Sequence, residues 1–213
     1  GSDTMVNLGQ AWAEAFMKKY PNSSVAVTGG GSGTGIAALI NGTCDIAECS
    51  RAMKDKEKKQ AQEKGRNPIE FIAGLDGLAV VVHPSNPVSQ LTTGQLRDIF
   101  IGTITNWKDV GGNDQSITLL SREINSGTHV YFKEHIVRKG NEKGPEEFAP
   151  GALLMPSSQA IADEVSQNQS AIGYYGLGYV STKQKALAVS QKDGHYVKPS
   201  LKTVKNKSYP ISR

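Results

Sequence analysis

Cysteine is scarce: only Cys44 and Cys49 occur in 213 residues. They lie five apart in what reads as a strand and its exit. Odd spacing along a strand sends side chains to opposite faces, so the expectation is two buried small residues and no disulfide. Histidine is as thin, with four scattered residues at 83, 129, 135 and 195, and these with two cysteines offer no metal-ligand spacing. Aromatic residues are 7% of the chain, too few for a base-stacking platform. A strong charge of one sign is also missing, since the formal net charge is +4 and the sequence pI about 9.0. The densest basic group, Lys54, Lys56, Lys58, Lys59 and Lys64, is diluted by Asp55, Glu57 and Glu63 and reads as a solvated helix face. No nucleic-acid partner, metal or cofactor is therefore expected. No run approaches the roughly 20 apolar residues that span a bilayer. No signal peptide is visible, which says little about export when a chain can be a trimmed product.

What is present is enough apolar residue, 38%, for one substantial core or two small lobes. An amphipathic helix with Leu8, Ala11, Trp12, Ala15, Phe16 and Tyr20 at helical spacing ends before Pro21, with Ser2, Asp3 or Thr4 as its cap. Ser24-Val25-Ala26-Val27-Thr28 alternates as a strand, then meets Gly29 to Gly35 and the helical run Ile36 to Ile40. This connector is neither a Walker A motif nor a clean dinucleotide fingerprint. Cys44 to Cys49 reads as a second strand, leaving through Ser50-Arg51 into a charged helix over 54–64. The apolar stretch from Ile69 to Val82 reads as two buried strands or one bent strand, with Asp76-Gly77 at the bend. An Asp in so apolar a run is either a turn residue or a ligand-facing acceptor. Further helices capped by Thr92 or Thr93 and by Ser157 or Ser158 alternate with strands near Ile117, Ala171 and Ala186. The alternation predicts an α/β chain with largely parallel sheets.

Ser121-Arg122-Glu123-Ile124-Asn125-Ser126-Gly127-Thr128 ends a short apolar strand and opens a helix that Ser126 or Thr128 would cap. Free N–H groups, two hydroxyls and a guanidinium four residues upstream form an anion cradle. An ordinary capped helix with a surface Arg is the competing interpretation. Four junctions carry such groups: Ser2-Asp3-Thr4, Ser32-Gly33, Ser50-Arg51, and Arg122 with Ser126-Gly127-Thr128. In open α/β sheets, ligands bind beyond the carboxyl ends of the strands, so four such junctions favour an anion site over capping alone.

These residues carry a resemblance. Gly1-Ser2-Asp3-Thr4-Met5, Gly31-Ser32-Gly33-Thr34-Gly35, Asp45-Ile46-Ala47 through Ser50-Arg51, and Asp76-Gly77-Leu78-Ala79-Val80 match in order. Leu96 through Phe100, Ile104-Thr105-Asn106-Trp107, Ser121-Arg122-Glu123, Ser126-Gly127-Thr128 and Ile172-Gly173-Tyr174 continue the match. The chain resembles the phosphate-binding proteins of bacterial phosphate ABC importers, which have a periplasmic-binding-protein-like fold. The resemblance implies a two-lobed α/β fold with a hinge, with 1–77 in the first lobe, 78–180 in the second and 181–213 returning to the first. It implies a non-catalytic receptor that captures inorganic phosphate between its lobes and delivers it to membrane permease subunits. The receptor would work in the periplasm or at the outer face of the membrane.

Carried over position by position, Thr4, the Met5 amide, Ser32, Ser50, Arg122, Ser126, Gly127 and Thr128 would hold the oxyanion. Ser2, Asp3, Gly33 and Arg51 would be further contributors. Some relatives place an Asp where Ser50 stands. That leaves Asp76, or less readily Asp3, to accept the proton of hydrogen phosphate and repel sulfate. Relatives also have a strand before Gly-Ser and continue past Tyr209-Pro210-Ile211, so the chain is expected to lack part of one lobe. The rival functions are a binder of sulfate or molybdate, a phosphate-ester enzyme using Arg122 as a clamp, and a sensory or adhesive domain reusing the fold.

Overall fold

The apolar run after Gly77 becomes the first strand, β1 (Leu78–Val82), with all five residues buried. Leu78, Val80 and Val82 pack in one cluster with Leu96, Phe100 and Trp107. Ala79 and Val81 pack in another with Leu120, Ile161 and Tyr175. A strand covered on both faces reads as continuous apolar sequence because neither alternating set meets water. These features come from a computed structural model that describes residues 1–192 and 194–213.

The helices are α1 (Val6–Lys19), α2 (Ser32–Asn41), α3 (Asp55–Glu63), α4 (Thr93–Phe100), α5 (Gly127–Phe132), α6 (Ser158–Gln167) and α7 (Leu201–Lys205). The remaining strands are β2 (Gln90–Thr92), β3 (Thr118–Arg122), β4 (Leu153–Met155), β5 (Ala171–Gly176), β6 (Lys185–Ala186) and β7 (Ala188–Ser190). The main sheet has the order β4-β3-β5-β1-β6, and β2 pairs with β7 beside it. β3 runs parallel to β4 and β5, and β2 runs parallel to β7, whereas β1 is antiparallel to both β5 and β6. The fold is α/β with parallel pairings in the majority.

By internal contacts the chain divides into two units. One is Gly1–Phe71 with Ile124–Val130, and the other is Ile72–Glu123 with Tyr131–Arg213. Among the described residues every named strand lies in the second unit. Its helix starts follow the sequence: Thr92 Oγ1 accepts from Gln95 N at 3.1 Å, and Ser157 Oγ accepts from Ala160 N at 2.9 Å. Phe100, Phe132, Phe148 and Tyr174 fill its centre, with the Phe132 and Tyr174 rings stacked at 3.8 Å. This anchors the later turn of α5, which continues through a π-helical turn at Lys133–Val137.

The first unit, with the segment that leads out of it into β1, departs from the sequence expectation in three places. Ser24–Thr28 and Cys44–Cys49 form no strand, and neither does 69–76 ahead of β1. A strand needs a neighbour to share its ladder. Of the first two segments, Cys44–Cys49 receives a backbone bond from Ser2 N to Glu48 O at 2.7 Å, which is no ladder. Next, α1 buries its small residues, Gly9 and Ala13, while Leu8, Trp12 and Phe16 stay about half exposed. The Glu48 side chain lies where a Cβ on Gly9 would be, so the helix sits close on its small-residue face. Finally, Cys44 and Cys49 are free thiols, as expected, but half-buried rather than buried. Burial pushes the Cys49 thiol up to about 11, so it stays protonated at neutral pH.

Candidate functional site

Three segments of the first unit bring their hydroxyls together. Gly30 and Gly31 have φ of 99° and 100°, a region open to glycine, and they turn the chain into α2 so that Ser32 opens it fully buried. Ser50 reaches Ser32 twice, its N–H donating to Ser32 Oγ at 3.0 Å and its Oγ lying 3.2 Å from the same atom. Ser2, buried at the first turn, donates from Oγ to Ser50 Oγ at 3.0 Å. A chain of three hydroxyls joined by two hydrogen bonds uses two of its three O–H protons, and the hydroxyl hydrogens rotate to suit. One donor is thus left over for an acceptor such as an anion.

The start of α5 closes the group. Ser126 caps it, accepting from His129 N at 3.4 Å, and Thr128 Oγ1 lies 2.7 Å from Thr4 Oγ1. Between them, Gly127 is the point of closest approach. A Cβ there would overlap Ser32 Oγ and lie 2.7 Å from Ser50 Oγ. Close approach of backbone to hydroxyls, with helix N–H groups nearby, is the arrangement that suits a small oxyanion.

Of the residues named from sequence, Ser2, Thr4, Ser32, Ser50, Ser126, Gly127 and Thr128 therefore meet in one unit. Two backbone donors have partners already: Met5 N donates to Ser2 O at 3.2 Å, and Gly33 N to Asn125 O at 2.9 Å. Asp3 sits half-exposed in the 3-10 turn Asp3–Met5. Arg51 forks onto Glu57, its Nη1 at 2.8 Å from Oε2 and its Nη2 at 2.7 Å from Oε1. That makes it the clamp that sets Ser50's exit against the start of α3.

Burial pushes the Glu57 carboxyl up, but the Arg51 fork, the Lys54 N–H and the neighbouring positive charges outweigh it and hold the group below its ordinary value of 4.5. A carboxyl depressed on folding contributes stability that is present above its unfolded value and lost as pH falls through the lower folded one. The stability advantage of the wild type over Glu57→Gln should therefore hold at neutral pH and shrink on acidification below about pH 4.5. Urea midpoints measured down to about pH 3 check this.

Arg122 and Asp76 belong to the second unit. Arg122, at the end of β3, is 1% exposed. Its Nη1 donates to Ser158 Oγ at 3.0 Å, its Nη2 to Pro156 O at 3.0 Å, and its Nε to Met155 O at 3.3 Å. Asp76 is paired with Arg213, Nη2 to Oδ2 at 2.8 Å. Sequence reasoning missed Asn125. Its Nδ2 donates to Gly30 O at 2.9 Å while its carbonyl takes the Gly33 N–H, latching the glycine turn to the Ser126 cap. The available signal was an Asn directly ahead of a Ser-Gly-Thr cap, a residue type that readily bonds backbone in turns.

Comparison with known proteins shows the family. The sequence model of the PBP superfamily domain matches residues 1–213. The phosphate-binding protein PstS of Pseudomonas aeruginosa is 34% identical over 227 residues, covering 100% of this chain and 68% of the relative. The chain belongs to the PBP superfamily, in the PstS family. PstS of Staphylococcus epidermidis is 32% identical over 219 residues, covering 65% of that relative. Thus this PstS-family chain spans about two thirds of the length of the curated relatives it matches. Among solved structures, one from Clostridium perfringens described as a phosphate ABC transporter substrate-binding protein with bound phosphate superposes with a TM-score of 0.86. It is 35% identical and covers 100% of this chain and 81% of that one. An ABC-type phosphate transport receptor from Vibrio cholerae gives 0.75 at 35% identity, covering 100% and 82%.

Proposed function

We propose that the protein is an extracytoplasmic solute-binding protein that captures inorganic phosphate and delivers it to the permease of an ABC importer. The observation that carries the proposal is the meeting of Ser2, Ser32 and Ser50 hydroxyls at a glycine, Gly127, that leaves no space for a side chain. In this reading Thr4, Ser32, Ser50, Ser126, Thr128 and the Gly127 amide donate to the oxyanion, and Arg122 supplies the positive charge. Neutral hydroxyls and N–H groups give up hydration more cheaply than lysines would, so a small dehydrated anion is held by many short bonds around one guanidinium. The names of the two PstS relatives and the two solved structures above, binding proteins and a transport receptor, support a receptor rather than an enzyme. Work in the periplasm or at the outer face of the cell membrane, with permease subunits as partner, belongs to the same proposal and is supported by the transporter and transport-receptor names of the two solved structures. The lobes of the whole protein are proposed to run over 1–77 and 78–180, with 181–213 leading back to the first.

Titration calorimetry on the whole protein tests the assignment. Phosphate should bind with sulfate and molybdate failing to compete. Tighter binding of either competitor would move the assignment to that oxyanion, and turnover of a phosphate ester that is lost in Arg122→Ala would replace the receptor with an enzyme.

A further inference from the structure

Ile124–Val130 packs in the first unit, although its chain neighbours Glu123 and Tyr131 belong to the second. Sequence neighbours therefore do not tie this segment to the glycine turn ahead of α2, and its own contacts have to. Ile124 is no anchor, since it is 74% exposed. Asn125 makes the contact. Its backbone O accepts from Gly33 N at 2.9 Å. Its side-chain Nδ2 donates to Gly30 O at 2.9 Å and to Thr34 Oγ1 at 3.4 Å. Gly30 O can only accept, so the amide nitrogen has to face it. A Cβ on Gly31 would lie 2.8 Å from Asn125 O and 3.3 Å from Asn125 Cγ, so backbone and side chain both lie against the turn. Asn125 does not have positive φ, so the backbone there does not call for an Asn and the side-chain bonds are what use it.

Gly30 stands two residues ahead of Ser32, and Asn125 two ahead of Gly127. A bond between Gly30 and Asn125 thus sets the spacing between the first turns of α2 and α5, where Gly127 meets the Ser32 and Ser50 hydroxyls. We propose that Asn125 is a positioning residue for the anion, its side chain fastening the first turn of α5 to that of α2 so that donors on both turns face one phosphate. This rests on the proposed phosphate-receptor reading and needs only residues of the first unit. Donors on two loose turns have to be gathered when the anion binds, whereas fastened ones are already in place. The side-chain bond and the anion then reinforce each other, because each orders the segment that the other uses.

The test is phosphate binding by the whole protein, with equilibrium and rate constants measured for wild type, Asn125→Ala and Asn125→Leu. Leucine keeps the branched shape of asparagine and loses the donor. Both variants should bind phosphate about fivefold more weakly, through faster dissociation with association within about twofold of wild type. By linkage, phosphate should also slow hydrogen exchange at Gly33 N–H, whose acceptor is Asn125 O. A purely structural role would lower the ligand-free melting temperature and leave the phosphate dissociation rate at its wild-type value. That result in either folded variant overturns the proposal. Wild-type affinity in Asn125→Leu beside weak binding in Asn125→Ala overturns it too, since packing would then carry the effect. Gly33 exchange that phosphate leaves unchanged does the same. Should Asn125→Ala fail to fold, Asn125→Leu decides alone. A wild type with no phosphate affinity overturns the receptor reading itself.

Discussion

Gly127→Ala should cost at least about a hundredfold in phosphate affinity and about 1–3 kcal/mol in stability. Its added methyl would overlap Ser32 Oγ, with Ser50 Oγ 2.7 Å and Ser32 Cβ 2.9 Å away. Ser32 cannot give way cheaply. It is fully buried and receives the Ser50 N–H at 3.0 Å, so moving it breaks the hydroxyl chain. The glycine is required here for space, since its φ is not in the left-handed region. Gly178→Ala is the control, because a Cβ there meets nothing within 4 Å and both affinity and stability should stay at wild-type values. Calorimetry and thermal denaturation on the pair check the prediction. Wild-type affinity in Gly127→Ala would show that the hydroxyl group is packing alone.

Arg122→Ala should lose phosphate binding by about a hundredfold or more, and Arg122→Lys should lose less while still falling well below wild type. The guanidinium is fully buried, with two backbone carbonyls and the Ser158 hydroxyl accepting its N–H groups. Those three bonds preset its plane, so a forked contact to an oxyanion costs little further ordering. A lysine keeps a point charge but cannot hold Met155 O, Pro156 O and Ser158 Oγ at once. Truncation should also lower stability by about 2 kcal/mol, because three buried acceptors lose a charged donor. Near-wild-type binding by a folded Arg122→Ala protein would remove the charge from the proposed site.

Much of the second unit was legible because its signals are local. The apolar run into Val82 reads as buried strand, two or one bent, of which Leu78–Val82 forms, and of the paired cap candidates Thr92 and Ser157 start α4 and α6 through bonds that need nothing distant. The first unit was legible in its turns and not in its strands. Val25 and Ile46 are spaced for a sheet, yet a strand exists only with a neighbour, and pairing is not written in its own residues. The helical stripe of Leu8, Trp12 and Phe16 marks an apolar face, while the side that packs closely was set by Gly9 and Ala13, residues whose signal is a lack of bulk.

In the candidate site, hydroxyls and glycine at helix starts single out the junctions that hold Ser32, Ser50 and Thr128, because such groups have a direct chemical meaning there. Partners across the sequence were not readable. Nothing near Arg51 shows that it would fork onto Glu57, nothing near Asp76 points to Arg213, and the Asn125 latch on Gly30 joins positions 95 residues apart.

The most direct test of the central claim is a crystal structure of the whole protein grown with phosphate. Phosphate oxygens should lie within hydrogen-bond distance of Ser32 Oγ, Ser50 Oγ, Thr128 Oγ1 and the Gly127 amide, with the Arg122 guanidinium forked onto the same anion. Phosphate bound elsewhere, with those hydroxyls still bonded only to one another, would contradict it.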